Sequence, residues 1–404
     1  MLHILYLAHD LADPAVRRRV LMLREGGADV SLAGFRRDAN VLASVEGIVP
    51  IELGTTADGR FGQRIAAVAK ACLGLSERLG HLRRPDVIIA RNLEMLAVAN
   101  RAAPLFGAKV PIVYECLDIH RLLLRKDTAG KAIRAAEAYL GRDISALITS
   151  SPAFVDNYFK PLSGLTAPII LLENKVLELS EQGAPIAPGP RLPRDGEPWR
   201  IGWFGALRCS KSLKLLSDFS RAMQGRVKVE LRGRPAYSEF DDFDGFVGNE
   251  PFMTYHGPYK NPEDLSRIYG EVQFSWAIDF FEEGLNSSWL LPNRLYEGCR
   301  YGAVPITLSG TETARFVERR MIGFRLAQAN VEQLADLFET MTADRYLAAS
   351  SAIMAQDPKV WICDRADCQA LVQALAPLTS LPRTVQPVSV VSQPVAQKVD
   401  VHEG

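Results

Sequence analysis

From its second residue this chain alternates short apolar runs with amphipathic stretches, and that alternation restricts its fold more than any other feature. Leu2 to Ala8 is an apolar run of strand length. Pro14 to Gly26 has helical spacing, with Asp13 as its N-cap and Pro14 at the first helical position. Asp29 to Phe35 and Ile48 to Leu53 read as strands, Arg60 to Leu79 as a helix, and Pro85 to Ala90 as the next strand. The cycle continues with a helix near Leu93 to Phe106, a strand at Val110 to Tyr114 and a helix near Lys131 to Gly141. A strand at Ala146 to Thr149, a helix over Pro152 to Phe159 and a strand at Pro168 to Leu172 complete it. Strands separated by helices return in the same direction, so the pattern predicts an α/β fold with a parallel sheet wrapped by helices.

Residues 175 to 198 break the rhythm with Gly and Pro (Gly183, Pro185, Pro188, Gly189, Pro190, Pro193, Gly196), and it then restarts. Trp199 to Phe204 is a strand, Ser210 to Met223 a helix and Val227 to Leu231 a strand, before a helix near Pro262 to Tyr269 and a strand at Val272 to Ile278. Ala303 to Leu308 and Val331 to Met341 read as a further strand and helix. A length of 404 residues exceeds one ordinary core, so two domains are expected. They span 1–175 and 199–358, joined by a linker at 176–198 and followed by a helix at 359–378. The stretch 379–404 has no periodicity and reads as a disordered tail.

The 47 basic and 47 acidic residues argue against a nucleic-acid binder driven by bulk charge. Residues 1–175 hold 23 Lys/Arg against 18 Asp/Glu and the remainder 24 against 29, a split of +5 and −5. A basic first half suits an anionic membrane or a phosphate-bearing acceptor. The six cysteines form no C-x-x-C pair and no metal-ligand spacing, which points to a reducing compartment. Met1 leads straight into a strand-like run without a signal-peptide pattern, and no run of about 20 apolar residues exists. A cytoplasmic protein is expected, with any membrane contact peripheral.

Chemistry concentrates in two segments of the second half. Leu291-Pro292-Asn293-Arg294-Leu295-Tyr296-Glu297-Gly298 runs through Cys299 and Arg300 to Gly302-Ala303-Val304-Pro305-Ile306. It reads as a loop, a helix capped at Asn293 and a buried strand. A helix start offers free N–H groups to phosphate or sugar oxygens, and a carboxylate accepts two hydroxyls at once. Without a ligand it is an ordinary helix–strand unit with a surface Glu. Upstream, Ile201-Gly202-Trp203-Phe204-Gly205 ends a strand, and Arg208 and Lys211 follow within the next turn. Glycine lets a diphosphate approach the backbone, and the cations neutralise leaving charge.

The first of these segments resembles the N-K-L-x-E-x-x-x-x-G-x-P-V-I signature of glycosyltransferases with two Rossmann-like domains, the GT-B fold. The second resembles their G-x-x-G…R…K segment. In the first half, Pro85-Asp86-Val87-Ile88-Ile89-Ala90-Arg91-Asn92-Leu93 and Pro111 through Tyr114-Glu115-Cys116-Leu117-Asp118-Ile119-His120 resemble segments of the glycosyltransferase family 4 group. The resemblance extends to bacterial exopolysaccharide enzymes of the succinoglycan type. It implies a GT-B enzyme whose last helix often crosses back to the first domain. It also implies that Gly205, Arg208, Lys211 and Arg294 hold the donor diphosphate and that Glu297, Asn293 and Ser288 face its ribose and sugar. The donor implied is a nucleoside-diphosphate sugar, UDP-glucose first, as substrate and without a cofactor. The acceptor implied is a glycan or a polyprenyl-diphosphate-linked oligosaccharide at the inner membrane face.

Asp118 follows a buried strand and is the first candidate for the acid/base group, with a helix N-cap as its plain alternative. His120 competes for the role. Leu117 stands where the group often has His, and Glu137 matches a Glu common there or is an exposed helical charge. Asp10 and Asp13 border the acceptor side, with Arg17, Arg18 and Arg19 on the following helix as acceptor-phosphate contacts or a solvated face. The family's E-x7-E places its first Glu at Trp289, so that Glu is absent, and Glu283 or backbone near Ser287 and Ser288 is left to serve. Asp241-Asp242-Phe243-Asp244 resembles a D-x-D metal site but reads as a solvated loop, so no metal is expected. A nucleotide-sugar 2-epimerase of the same fold and a non-catalytic nucleotide-sugar-binding partner are the alternatives.

Overall fold

The structure is a computed structural model describing residues 1–37, 43–56, 61–107, 109–180 and 192–379. Nearly half of the expected linker (181–191) and all but the first residue of the expected tail lie outside these residues.

The first sheet contains β1 (His3–Ala8), β2 (Asp29–Arg36), β3 (Ile51–Thr55), β4 (Val87–Arg91), β5 (Ile112–Glu115), β6 (Ala146–Thr149) and β7 (Ile169–Leu171). Its order is β3-β2-β1-β4-β5-β6-β7, and every pairing is parallel. Side chains alternate across a strand, so β1 feeds two cores at once. Leu5 and Leu7 join Phe35, Ile88 and Tyr114 on one face, and Ile4 and Tyr6 join Leu32, Ile89 and Ile148 on the other. Burial on both faces explains why these strands are almost continuously apolar in sequence.

A two-stranded sheet pairs β8 (Val176–Leu177) with a late strand, Ile362–Cys363. The second large sheet holds β9 (Trp199–Leu207), β10 (Val227–Pro235), β11 (Met253–Tyr255), β12 (Phe274–Trp276), β13 (Val304–Leu308) and β14 (Phe324–Leu326). Its order is β11-β10-β9-β12-β13-β14, again all parallel. Each sheet therefore reverses its winding once, between β1 and β4 and between β9 and β12. The carboxyl ends of strands at such a reversal diverge and leave a crevice, which is where open α/β sheets bind ligands.

The chain end returns to the first lobe. Helix Arg365–Leu375 starts with a capping box between Asp364 and Asp367 and buries Cys368, Leu371, Val372 and Leu375 against Ile4, Val16 and Val20. Burying Leu371, Val372 and Leu375 contributes roughly 1.5–3 kcal/mol each. The approach is close at Gly26, where a Cβ would stand 2.3 Å from the Cys368 carbonyl oxygen.

Several local expectations change. The expected helix from 60 to 79 is two helices, Phe61–Leu73 and Leu75–Leu79, divided at Gly74. The acidic run is not a loop: Asp242 caps helix Phe243–Gly248 by accepting from the Gly245 amide at 2.9 Å. Phe243 supplies the burial that holds it, among Phe240 and Tyr255. Asn293 does not cap the signature helix; Pro292 takes that position, and Asn293 is the exposed first residue of Asn293–Arg300. Edge strands β11 and β14 and helices Glu312–Arg319 and Ala343–Met354 escape the sequence reading. Three-residue strands are too short to show a period, Glu312–Arg319 is mostly polar, and Ala343–Met354 is rich in small Ala and Ser with only Tyr346 and Ile353 buried.

Candidate active site in the interlobe crevice

The two winding reversals face each other through the loops that follow β9, β12 and β5. After β9 the chain turns at Gly205 (φ +109°) and enters helix Ser210–Ala222. A Cβ on neighbouring Gly233 would stand 1.8 Å from the Gly205 carbonyl oxygen, so the two strand ends touch backbone to backbone. Arg208 then lies over the Phe281 ring at 4.4 Å, 4.0 Å from Asp279. Lys211 bonds both oxygens of Glu283 at 2.7 Å and sits 4.5 Å from the Phe280 ring centroid.

Asp279 follows β12 and organises this group. It accepts from Arg294 Nη2 at 3.3 Å, while the same nitrogen donates to the Ile278 carbonyl at 2.9 Å. Arg294 is buried, and its Nε has no partner among the described residues. One turn further on, Glu297 is buried and accepts from Asn261 Nδ2 at 2.7 Å and Tyr269 Oη at 3.1 Å. Burial raises its carboxyl above the usual range, against the pull of those hydrogen bonds. Arg208, Lys211, Arg294 and Glu297 thus share one strand-end region. Ser288 stands in the 3₁₀ turn Ser287–Trp289, and Asn293 is exposed at the helix start.

Across the crevice, Asp118 follows β5. It keeps solvent-accessible surface, yet both lobes crowd it, and that desolvation raises its carboxyl while Arg208 opposes the shift. Asn286 ties the two sides together, donating from Nδ2 to Asp118 Oδ1 at 2.9 Å and to the Ile119 carbonyl at 2.6 Å. Ser151 Oγ donates to the Trp289 carbonyl at 2.5 Å, and Trp289 and Leu290 pack on the first lobe's core. The loop 279–290 is therefore a strap from the second lobe to the first. Glu282 on it adopts φ +59°, and its carboxyl is raised by burial and by Asp118. The sequence reading assigned no role to Asn286, Asp279 or Glu282, whose only signal is their density of polar side chains after an apolar strand.

His120 caps the 3₁₀ turn Arg121–Leu124, accepting from the Leu122 amide at 3.3 Å. Burial, then Arg64 and Arg121, lowers its pKa. Asp10 accepts from the Ala12 amide at 3.0 Å and lies 3.7 Å from Arg37. Asp13 caps helix Pro14–Glu25 and pairs with Arg91 at 3.3 Å. The three consecutive arginines part company: Arg17 turns outward to Glu46, Arg18 donates to the Lys175 carbonyl, and Arg19 is buried on Glu115. Only Arg18 faces the interlobe side.

Two buried carboxylates brace the first lobe's strand ends. Glu115 accepts from Tyr6 Oη at 2.6 Å, Arg19 Nε at 2.5 Å and Arg91 Nη1 at 3.1 Å. Burial alone would raise its carboxyl; the two guanidiniums outweigh it and hold it at about 2. Glu137 is not an exposed charge but fully buried, accepting from Tyr114 Oη at 2.9 Å and from Tyr158. Burial outweighs the two phenol hydrogen bonds and the more distant Arg134 and raises its carboxyl to about 7. Its sign follows: the unfolded chain loses that proton near pH 4.5 and the folded chain near 7, so stability falls as pH rises across this window. Glu137→Gln is expected to abolish roughly 3 kcal/mol of that fall, read from urea unfolding at pH 5 and 8. Parallel pH curves for the variant and the wild type exclude the assignment.

A cavity of about 330 Å³ lies elsewhere, at the amino edge of the second sheet, lined by Arg200, Glu230, His256 and Glu271 among others. Its charges satisfy one another, with Glu230 bonded to both Arg200 and His256, so it offers no unfilled chemistry. Among the described residues no group of three or more His, Cys, Asp or Glu is placed to hold a metal.

The sequence pattern of the glycosyl transferase 4-like domain matches residues 3–169. The succinoglycan biosynthesis protein ExoL of Rhizobium meliloti (strain 1021) is 64% identical over 387 residues, spanning 95% of this chain and 96% of that one. This chain belongs to the glycosyltransferase 4-like family. It is a GT-B glycosyltransferase, as the signature residues led us to expect. Solved structures agree on the fold. Anabaena Alr3699/HepE, crystallised with UDP and glucose, superposes with a TM-score of 0.65 at 16% identity, covering 94% of this glycosyltransferase and 100% of that chain. Sucrose-phosphate synthase from Thermosynechococcus elongatus gives 0.64 at 14% identity over 93% and 96%.

Proposed function

We propose that this glycosyltransferase moves glucose from UDP-glucose to an oligosaccharide carried on a polyprenyl diphosphate, in assembly of a succinoglycan-type exopolysaccharide. One observation carries the reading: Arg208, Lys211 and Arg294 gather at the second sheet's winding reversal, and Asn286 joins that side to Asp118 on the first. ExoL's part in succinoglycan biosynthesis and HepE's complexes with UDP and UDP-glucose support the choice of pathway and donor. The lipid-linked acceptor would be met by peripheral contact at the inner face of the cytoplasmic membrane.

In this reading the donor diphosphate replaces Glu283 on Lys211 and draws on Arg208 and Arg294, so leaving charge is met by fixed cations without a metal. Glu297 keeps lone pairs beyond those used by Asn261 and Tyr269, and these accept ribose hydroxyls. If the displacement inverts, the acceptor oxygen attacks C1, the C1–O bond to UDP breaks, and Asp118 takes the hydroxyl proton. Its raised pKa suits that task. His120, kept neutral near pH 7 by burial and neighbouring arginines, is the second candidate.

The test is a thermal-shift panel of UDP-, ADP- and GDP-sugars. UDP-glucose is expected to stabilise the wild type, with the shift lost in Arg208→Ala and Glu297→Ala. A wild type unmoved by every nucleotide sugar, or variants that respond as it does, ends the proposal.

A further inference from the structure

The helix that returns to the first lobe begins on two cysteines that the proposed reaction does not use. Asp364 is its N-cap and closes a capping box with Asp367, so Cys363 precedes the cap and Cys368 is the fourth helical residue. Residues at these two positions pack on each other across a helix start, ordinarily as an apolar staple. Here both are thiols, both lie in the same buried cluster, and they share a hydrogen bond. Cys363 also ends the strand Ile362–Cys363 that pairs with β8 between the lobes, and its carbonyl accepts from the Glu178 amide at 2.9 Å.

The surroundings make the two sulfurs unequal. The hydrogen bond from Cys368 lowers the Cys363 thiol below its ordinary value; burial and Asp367 oppose the shift, and Arg18 and Arg19 support it. Cys368 is raised, first because it gives that hydrogen bond and then by burial. A thiolate-prone sulfur at a helix start beside arginines, with a protonated thiol in reach, pairs a nucleophilic cysteine with a resolving one. Cys363 is only 3% exposed, but its strand is two residues long, and so short a pairing opens locally before the large sheets do. Arg18 connects the pair to the donor side. Its guanidinium donates to the Lys175 carbonyl, burial lowers its pKa, and the negative groups that oppose this are Cys363 first and Glu297 after it.

We infer that Cys363 and Cys368 form a reversible disulfide on exposure to a hydroperoxide, and that closing it weakens nucleotide binding at the signature helix. The Cys363 thiolate attacks one oxygen of hydrogen peroxide, the O–O bond breaks, and the leaving hydroxide takes a proton to become water. Cys363 is then a sulfenic acid, oxidised by two electrons. The Cys368 sulfur attacks it, the S–O bond breaks, and the hydroxyl departs with the thiol proton as a second water. The disulfide carries no charge, so Arg18 loses its nearest counter-charge. A desolvated guanidinium left that way turns to Glu297, which then holds a cation in place of ribose hydroxyls. This last step rests on the donor site proposed above; the cross-link does not.

The test treats the full chain with hydrogen peroxide, digests it with trypsin and compares masses with and without reductant. Trypsin cuts after Arg365, between the two cysteines, so the disulfide appears as two joined peptides that reductant separates. Cys368→Ser is expected to stop at a sulfenic acid on Cys363 that dimedone traps, and Cys363→Ser to give neither product. Arg18→Gln should slow cross-linking about tenfold, as for a tenfold smaller thiolate fraction. By calorimetry the oxidised wild type should bind UDP about tenfold more weakly than the reduced protein, as for one contested hydrogen-bond acceptor. Dithiothreitol should restore that affinity, and peroxide should leave it unchanged in Cys363→Ser. No joined peptides, equal cross-linking in Arg18→Gln, or one UDP affinity for both redox states overturns the inference. UDP binding by the reduced wild type is read separately: its absence ends the donor-site reading and the coupling drawn from it, whereas a missing cross-link leaves the donor site untouched.

Discussion

On the proposed assignment of UDP-glucose as donor, replacing Arg208 with alanine is expected to lower kcat for sugar transfer about 100- to 1000-fold, with a smaller change in KM for the donor. Removing one preorganised group that meets developing charge in a crevice has effects of this size. On the proposed reading Arg208 does that work rather than simple binding. Its guanidinium carbon lies 4.4 Å from the Phe281 ring centroid, it is 4.0 Å from Asp279, and its field reaches Asp118 across the crevice. An interaction strengthened as the C1–O bond breaks lowers kcat and kcat/KM together, whereas uniform binding raises KM alone. Arg208→Lys should recover only part of the rate, since an ammonium cannot stack or fork as a guanidinium does. Steady-state transfer with both variants decides the matter, and a kcat within about threefold of wild type for Arg208→Ala removes Arg208 from the chemistry.

Glu115→Gln is expected to cost about 3–5 kcal/mol of stability, the largest effect of any single substitution considered. Glu115 is fully buried and is the shared partner of Arg19 and Arg91, both of which are also buried. Losing its charge leaves two guanidiniums in a desolvated interior with only Asp13 near Arg91. The pH dependence has a definite sign. The folded carboxyl is held at about 2, below its ordinary value near 4.5, so its contribution is present above pH 4.5. It is lost as the pH falls toward 2. Urea unfolding at pH 7 measures the cost. Unfolding of the wild type from pH 6 to 3 should show a decline that Glu115→Gln lacks. A variant as stable as the wild type at pH 7 refutes the account. Glu137 behaves oppositely, because it has tyrosine hydroxyls where Glu115 has guanidiniums.

The alternation of apolar strands and helices, the restart near Trp199, the last helix as an element and the Pro292–Pro305 segment were readable along the chain, because each depends on neighbours within one or two turns; the return of that helix to the first lobe was expected from the family resemblance alone. The cations Arg208 and Lys211 and the carboxylate Glu297 were singled out from helix starts after strands, which are written in consecutive residues, and the structure places them in one strand-end region. Three-residue edge strands carried no period and stayed hidden. Pairings across the fold were invisible for a different reason. Asn286 meets Asp118 from 168 positions away, Glu115 finds Arg19 96 positions earlier, and Glu137 receives hydroxyls from another strand and another turn. Whether a charged side chain ends up solvated, paired with a cation or buried against phenols depends on what the closed sheets bring beside it. Linear order thus determined the elements and where their loops open, and tertiary packing alone decided the protonation, partners and orphaned atoms of the groups in those loops.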